Sequence, residues 1–105
     1  MANPWRGDVA LNINGENHVM RLTLGALAEL ETTLQEPSLV ALVERFEGNQ
    51  YSSRDVLALL SAGLKGGQSS LSGDDLMHAE IEGGPMAAAR AGAELLARAF
   101  VLPEV

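Results

Sequence analysis

The chain contains no cysteine, which excludes disulfide frameworks, thiolate catalysis and cysteine-based zinc sites. Aromatic residues are scarce: Trp5, Phe46, Tyr51 and Phe100 are the whole set. The apolar 47% is carried mostly by Ala, Leu and Val, and such a core of small aliphatics favours packed helices over an extensive sheet. Positive charge is also short, with 7 Lys and Arg against 14 Asp and Glu and a net charge of -7. That balance repels phosphate backbones and argues against a nucleic-acid partner. It suits a partner with a basic patch, although solubility alone accounts for an acidic surface. Long apolar runs are missing too. The Ala-rich stretch 86–102 is interrupted by Arg90, Glu94 and Arg98, and nothing approaches the roughly 20 apolar residues that span a bilayer. The opening MANPWRGD lacks the apolar centre of a signal peptide. The expected compartment is the cytoplasm, without membrane contact.

What the sequence does contain is a dense series of starts and stops. Its 105 residues suit one domain, 1–105, with one modest core. Residues 1–6 read as a loose arm with Trp5 docked on the body, 8–24 as a β-hairpin and 25–102 as the helical part. In the first strand Val9, Leu11 and Ile13 alternate with Asp8, Ala10 and Asn12, the period of a half-buried strand. Asn14-Gly15 is a strong hairpin signal. A two-residue loop sets Leu11 opposite His18 and Ile13 opposite Glu16. A four-residue loop sets Leu11 opposite Met20 and Val9 opposite Leu22. The second keeps apolar side chains together and is the expected register.

Helix signals follow at once. Thr23 suits an N-cap, and Leu27, Leu30 and Leu34 form a stripe with Glu29 and Glu31 outward. Pro37 breaks this helix. A second starts near Ser38 with Leu39, Leu42, Val43 and Phe46 inward and stops at Gly48-Asn49. Ser52-Ser53-Arg54-Asp55 has the form of a capping box, with Asp in place of Glu. The helix it opens carries Val56, Leu57, Leu60 and Leu64 and ends at Gly66-Gly67. Ser72-Gly73-Asp74-Asp75 repeats the start signal before Leu76, Met77 and Ile81. After the Gly83-Gly84 turn, Pro85 suits the first position of a last helix. Met86, Ala89, Ala93, Leu96 and Phe100 form its expected stripe, and Pro103 its end. The predicted fold class is α+β: an N-terminal β-hairpin followed by about five short helices in a mainly helical single domain.

Catalytic chemistry finds no foothold. His18 and His78 lack the spacing of a metal site and read as surface or rim residues. His78 and Glu80 are two apart on a helix and point in different directions. Residues 63–70, GLKGGQSS, place Lys65 before the glycines and follow a helix, unlike a phosphate loop. Ser69, Ser70 and Ser72 have no nucleophile-elbow context. The pairs Asp74/Asp75 and Glu80/Glu82 read as a solvated face or as electrostatic contacts. No catalytic residue, metal site or cofactor is expected.

Longer runs carry a resemblance: Asn3-Pro4, Arg6-Gly7, Val9-Ala10-Leu11 and, most specific, RLTLGALAELE at 21–31. It continues through Leu42, Arg45-Phe46, the RDVLALL run at 54–60, Gly63-Leu64, Gly66-Gly67 and the Ala-rich end. In these segments, which span nearly the whole chain, the sequence resembles the small tail proteins of gene transfer agents and siphophage-like particles, usually classed as tail assembly chaperones. The resemblance implies a non-catalytic role in building a phage-like tail, with the tape-measure protein and the tail tube protein as partners. Such chaperones are thought to coat the helical tape-measure protein before the tube polymerises, and to help recruit tube subunits. The alternative is a structural tail tube or tail-associated subunit retained in the particle. It ranks second, because one hairpin supplies little strand for a ring. On the chaperone reading, Leu39, Leu42, Leu57 and Leu64 are the candidate partner-binding residues, expected to be partly exposed or to support self-association.

Overall fold

The computed structural model describes residues 7–35, 38–71 and 73–100. Strand β1 (Val9–Ile13) turns through Asn14 and Gly15 into strand β2 (Glu16–Met20). Helices α1 (Leu24–Leu34), α2 (Val40–Glu47), α3 (Ser53–Gly66), α4 (Gly73–Met77) and α5 (Gly84–Ala99) follow. The α+β class and the order of elements agree with the sequence reading. Trp5, Pro37, Ser72 and Pro103 lie outside the described residues.

The hairpin register differs from the expected one. Val9 stands opposite Met20, Leu11 opposite His18 and Ile13 opposite Glu16, the two-residue loop. Asn14 and Gly15 both take positive φ, 54° and 84°, the pair of left-handed residues that this tight turn requires. Apolar cross-strand pairing did not decide the register because Leu11 and Ile13 are covered from elsewhere. Ile13 is fully buried and forms a backbone bridge with Ile81. The polar residues facing them are accommodated: His18 Nδ1 lies 3.0 Å from Ser69 Oγ, and Glu16 is exposed. Leu22 falls beyond the sheet, just ahead of the Thr23 cap.

Capping was legible. The Thr23 hydroxyl accepts from the Ala26 N–H at 3.1 Å. At α3 the Ser52 hydroxyl accepts from the Asp55 N–H and the Asp55 carboxylate accepts from the Ser52 N–H, a complete capping box. Both ends of Asp55 are used, since Arg45 of α2 donates to its two oxygens at 3.0 Å each. Burial by itself would raise the Asp55 pKa. The hydrogen bonds from Arg45 and Ser52, with the Arg45 charge, outweigh burial and hold the carboxyl below its usual range.

Helix α3 is the centre of the molecule, packed against the hairpin, α1, α4 and α5. Its buried residues are Asp55, Leu59, Leu60, Ala62, Gly63 and Leu64, so it is enclosed on more than one side. Val56 and Leu57 of the expected stripe are only half-buried. The expected face of α5 also needs correction. Met86 is 68% and Phe100 49% exposed, and Ala93 is exposed. The inward face is Ala88, Ala89, Ala91, Gly92, Leu95 and Leu96. Small residues decide this, because they let the two helices approach. A methyl on Gly92 would meet Leu59 at 3.1 Å, and one on Gly63 would meet Leu95 at 2.8 Å.

One ionic cluster ties the hairpin to α5. The Asp8 side chain is fully buried and accepts from Arg21 Nε at 2.7 Å, while Arg98 donates to the Asp8 backbone carbonyl. Among the described residues no buried side-chain nitrogen or oxygen lacks a hydrogen-bond partner, as a stable interior requires.

Candidate partner-binding groove

Two hollows flank a ridge made by Leu57 of α3 and Met77 of α4. The larger, ≈ 720 Å³, runs between the first half of α3, the segment that follows α4 and the first turn of α5. Val56, Leu57 and Leu60 form its floor, and Met77, Ile81 and Met86 its sides. The smaller, ≈ 270 Å³, lies toward α1 and includes Leu30, Arg54 and Lys65.

The local sequence explains why the larger hollow stays open. Five-residue α4 buries Leu76 and leaves Met77 60% exposed, since so short a helix turns one face inward. Gly83 and Gly84 then take φ of 87° and 72°, a left-handed pair that redirects the chain and starts α5 with Met86 outward. The wall between them is pinned from the far side by the hairpin. The Asn14 N–H donates to the Glu80 carbonyl at 2.7 Å, and the Glu82 N–H to the Asn12 carbonyl at 3.2 Å. The Glu80 N–H donates to Asn14 Oδ1 at 2.9 Å. Segment 80–82 therefore adds a short third rung beside β1.

Of the four leucines expected at a partner surface, three are core. Leu39 is 6% exposed, and Leu42 and Leu64 are 0% exposed, so the expected partial exposure does not hold for them. Leu42 and Leu64 lie on the inward faces of α2 and α3, Leu39 is the N-cap residue of α2, and packing of the elements covers all three. Leu57 alone is half-buried beside a hollow. Sequence reasoning missed the outward position of Met77 and Met86. The shortness of α4 and the Gly83-Gly84-Pro85 start of α5 were the available signals. Leu24, Val40 and Phe100 are also exposed, at 83%, 62% and 49%, but none of them lines either hollow.

The residues weighed for chemistry do not come together. His18 is bonded to Ser69 on the hairpin side, and His78 is exposed at the end of α4. Among the described residues no group of three or more His, Asp or Glu is placed to hold a metal ion. Nor is any helix among them long and apolar enough to cross a membrane.

The fold and the larger of these two hollows describe a small α+β domain with an apolar surface channel. Residues 6–101 match the family described as phage tail tube protein, GTA-gp10, and the chain belongs to that family. It is thus a phage tail protein of gene transfer agent type, and its family points to a structural role in the tail. No curated protein and no solved structure matches the chain.

Proposed function

We propose that this chain is a non-enzymatic structural subunit of a phage-like tail, acting at the tail tube. The observation that carries this reading is the family match across residues 6–101. On this reading its partners are other tail proteins, and it remains in the finished particle. Purified particles should then contain the chain at a fixed ratio to the other tube subunits, measured by quantitative mass spectrometry. Its absence from particles whose assembly depends on its gene would overturn the retained-subunit role.

A second reading, the tail assembly chaperone, is favoured by a particular feature. The described sheet has two strands of five residues each, little for a ring-forming subunit, while Met77 and Met86 flank an open apolar groove. Methionine adapts to varied apolar partners, as a transient assembly factor requires. In this role the chain acts in the cytoplasm, binds the tape-measure and tube proteins through the groove beside Leu57, and leaves before completion. Co-expression with the tape-measure protein discriminates the two. A soluble complex that forms only with this chain present, together with its absence from particles, supports the chaperone.

A further inference from the structure

We infer that Asn14 is a site of spontaneous deamidation, and that its isoaspartyl product unlatches segment 80–82 from the hairpin. Of the asparagines in the chain only Asn14 is followed by glycine; the others precede Pro4, Ile13, His18 and Gln50. Deamidation begins when the backbone nitrogen of the next residue attacks the side-chain carbonyl carbon. A glycine nitrogen is the least hindered nucleophile for that step, and a proline nitrogen has no proton to give up. Asn14 and Gly15 are both exposed. The space where a Gly15 side chain would stand is open, with nothing within 4 Å.

The reaction balances with solvent water as its co-reactant. The Gly15 nitrogen loses its proton and bonds to Asn14 Cγ. The Cγ–Nδ2 bond breaks, and Nδ2 takes up a proton and leaves as ammonia, which closes a cyclic imide. Water then opens the ring. Attack at Cγ gives aspartate, whereas attack at the backbone carbonyl carbon of Asn14 gives isoaspartate, whose main chain runs through Cβ and Cγ. Either product exchanges a neutral amide for a carboxylate.

The fold couples this chemistry to the latch. Asn14 Oδ1 accepts from the Glu80 N–H at 2.9 Å, and the Asn14 N–H donates to the Glu80 carbonyl at 2.7 Å. Ring closure swings the side chain off Glu80 and turns the backbone out of the left-handed setting of Asn14, φ 54°. The imide therefore forms only when the latch opens locally. Aspartate restores the latch, because a carboxylate oxygen accepts from the Glu80 N–H as the amide oxygen did. Isoaspartate does not, since its added backbone carbon lengthens a turn that a pair of left-handed residues closes. The conversion is one-way. It leaves Ile81, which bridges Ile13 and lines the larger hollow, on a loosened wall. The inference stands apart from both tail roles.

The test ages the purified full chain in mildly alkaline buffer and follows each asparagine by peptide mass mapping. Enzymatic methylation of the new carboxylate identifies isoaspartate. Asn14 should convert at least about tenfold faster than Asn12, Asn17 or Asn49. Ile81→Ala, which weakens the wall, should speed conversion of Asn14 at least about threefold. Asp55→Asn, which destabilises the fold away from the latch, should leave that rate within about twofold. The isoaspartyl form, separated by anion exchange, should exchange its Glu80 and Glu82 amide hydrogens at least about tenfold faster than the parent. Asn14→Asp should keep the parental exchange. Circular dichroism checks the fold of each variant, and Ile81→Val supplies a smaller truncation where Ile81→Ala does not fold. Faster conversion at another asparagine, or a rate at Asn14 that weakening the wall does not change, overturns the inference. So does an Asp55→Asn rate raised as much as that of Ile81→Ala, since the reaction would then follow global unfolding, and so does parental exchange in the isoaspartyl form.

Discussion

At Gly66 and Gly67 the end of α3 meets the backbone of β2 with no room for a side chain. A methyl on Gly66 would lie 1.9 Å from the Arg21 carbonyl oxygen, and one on Gly67 would lie 2.0 Å from that of Val19. The clash is with backbone, which cannot rotate away as a side chain can. Gly67→Ala should therefore cost about 2–3 kcal/mol, read as a lower urea midpoint with an unchanged slope. Asp55 gives a prediction about pH. Its folded pKa lies below the ordinary 3.8, so its contribution is complete above that value and is lost as pH falls through the folded pKa. Asp55→Asn should destabilise the protein by about 1–3 kcal/mol at neutral pH. The difference from the parent should shrink once pH drops below 3.8. Urea titrations of both proteins across that range measure it; a gap that stays constant to the lowest pH contradicts the assignment. All three residues, Gly66, Gly67 and Asp55, were visible in the sequence, but only as a stop signal and a cap. The contacts that make them costly to change come from Arg21, Val19 and Arg45, which local sequence does not connect to them.

Between elements, the hairpin turn does more than reverse the chain. Asn14 uses its N–H and its side-chain oxygen on Glu80, 66 residues away. Asn14→Ala removes one of these bonds and places a residue less tolerant of positive φ in the turn. The expected cost is about 1–2 kcal/mol. Hydrogen exchange should quicken at the Glu80 and Glu82 amides while Leu59 and Leu60, deep in α3, stay protected. Uniform acceleration would show that the segment opens only with the whole fold. Starts and stops of elements were legible because Thr23, Ser52, Asp55 and Pro85 act within a few residues of themselves. Faces and register were less so. Apolar periodicity locates a stripe on its own helix but not the neighbour that covers it. In α5, where alanine occurs on all sides, the close approach to α3 at Gly63 and Gly92 selected the face. In the hairpin, Ile81 and Ser69 supplied partners from beyond residue 60.

For the molecule as a whole, the family was readable from runs such as 21–31 and 54–60, which form α1 and α3. The groove was not, because its walls come from three successive helices whose relative packing local sequence does not specify. Whether the protein stays in the tail was also beyond sequence, since either role needs a small domain with an apolar surface. The hairpin-to-groove connection makes the wall that carries Glu80 and Ile81 a long-range structure. Ile81→Ala should mainly accelerate unfolding, whereas Leu60→Ala should also slow refolding. Stopped-flow measurements of both variants in urea give the comparison, and a slower refolding limb for Ile81→Ala would contradict it.

The rung between Ile13 and Ile81 also sets an order of events during synthesis. Its two halves leave the ribosome at different times, and closing so large a loop carries an entropy cost that must be met before any contact returns it. The hairpin can turn early, but its outer edge waits for the segment after α4. The hollow between α3, α4 and α5 is therefore among the last features of the molecule to mature, and a nascent chain halted before residue 81 lacks one of its walls.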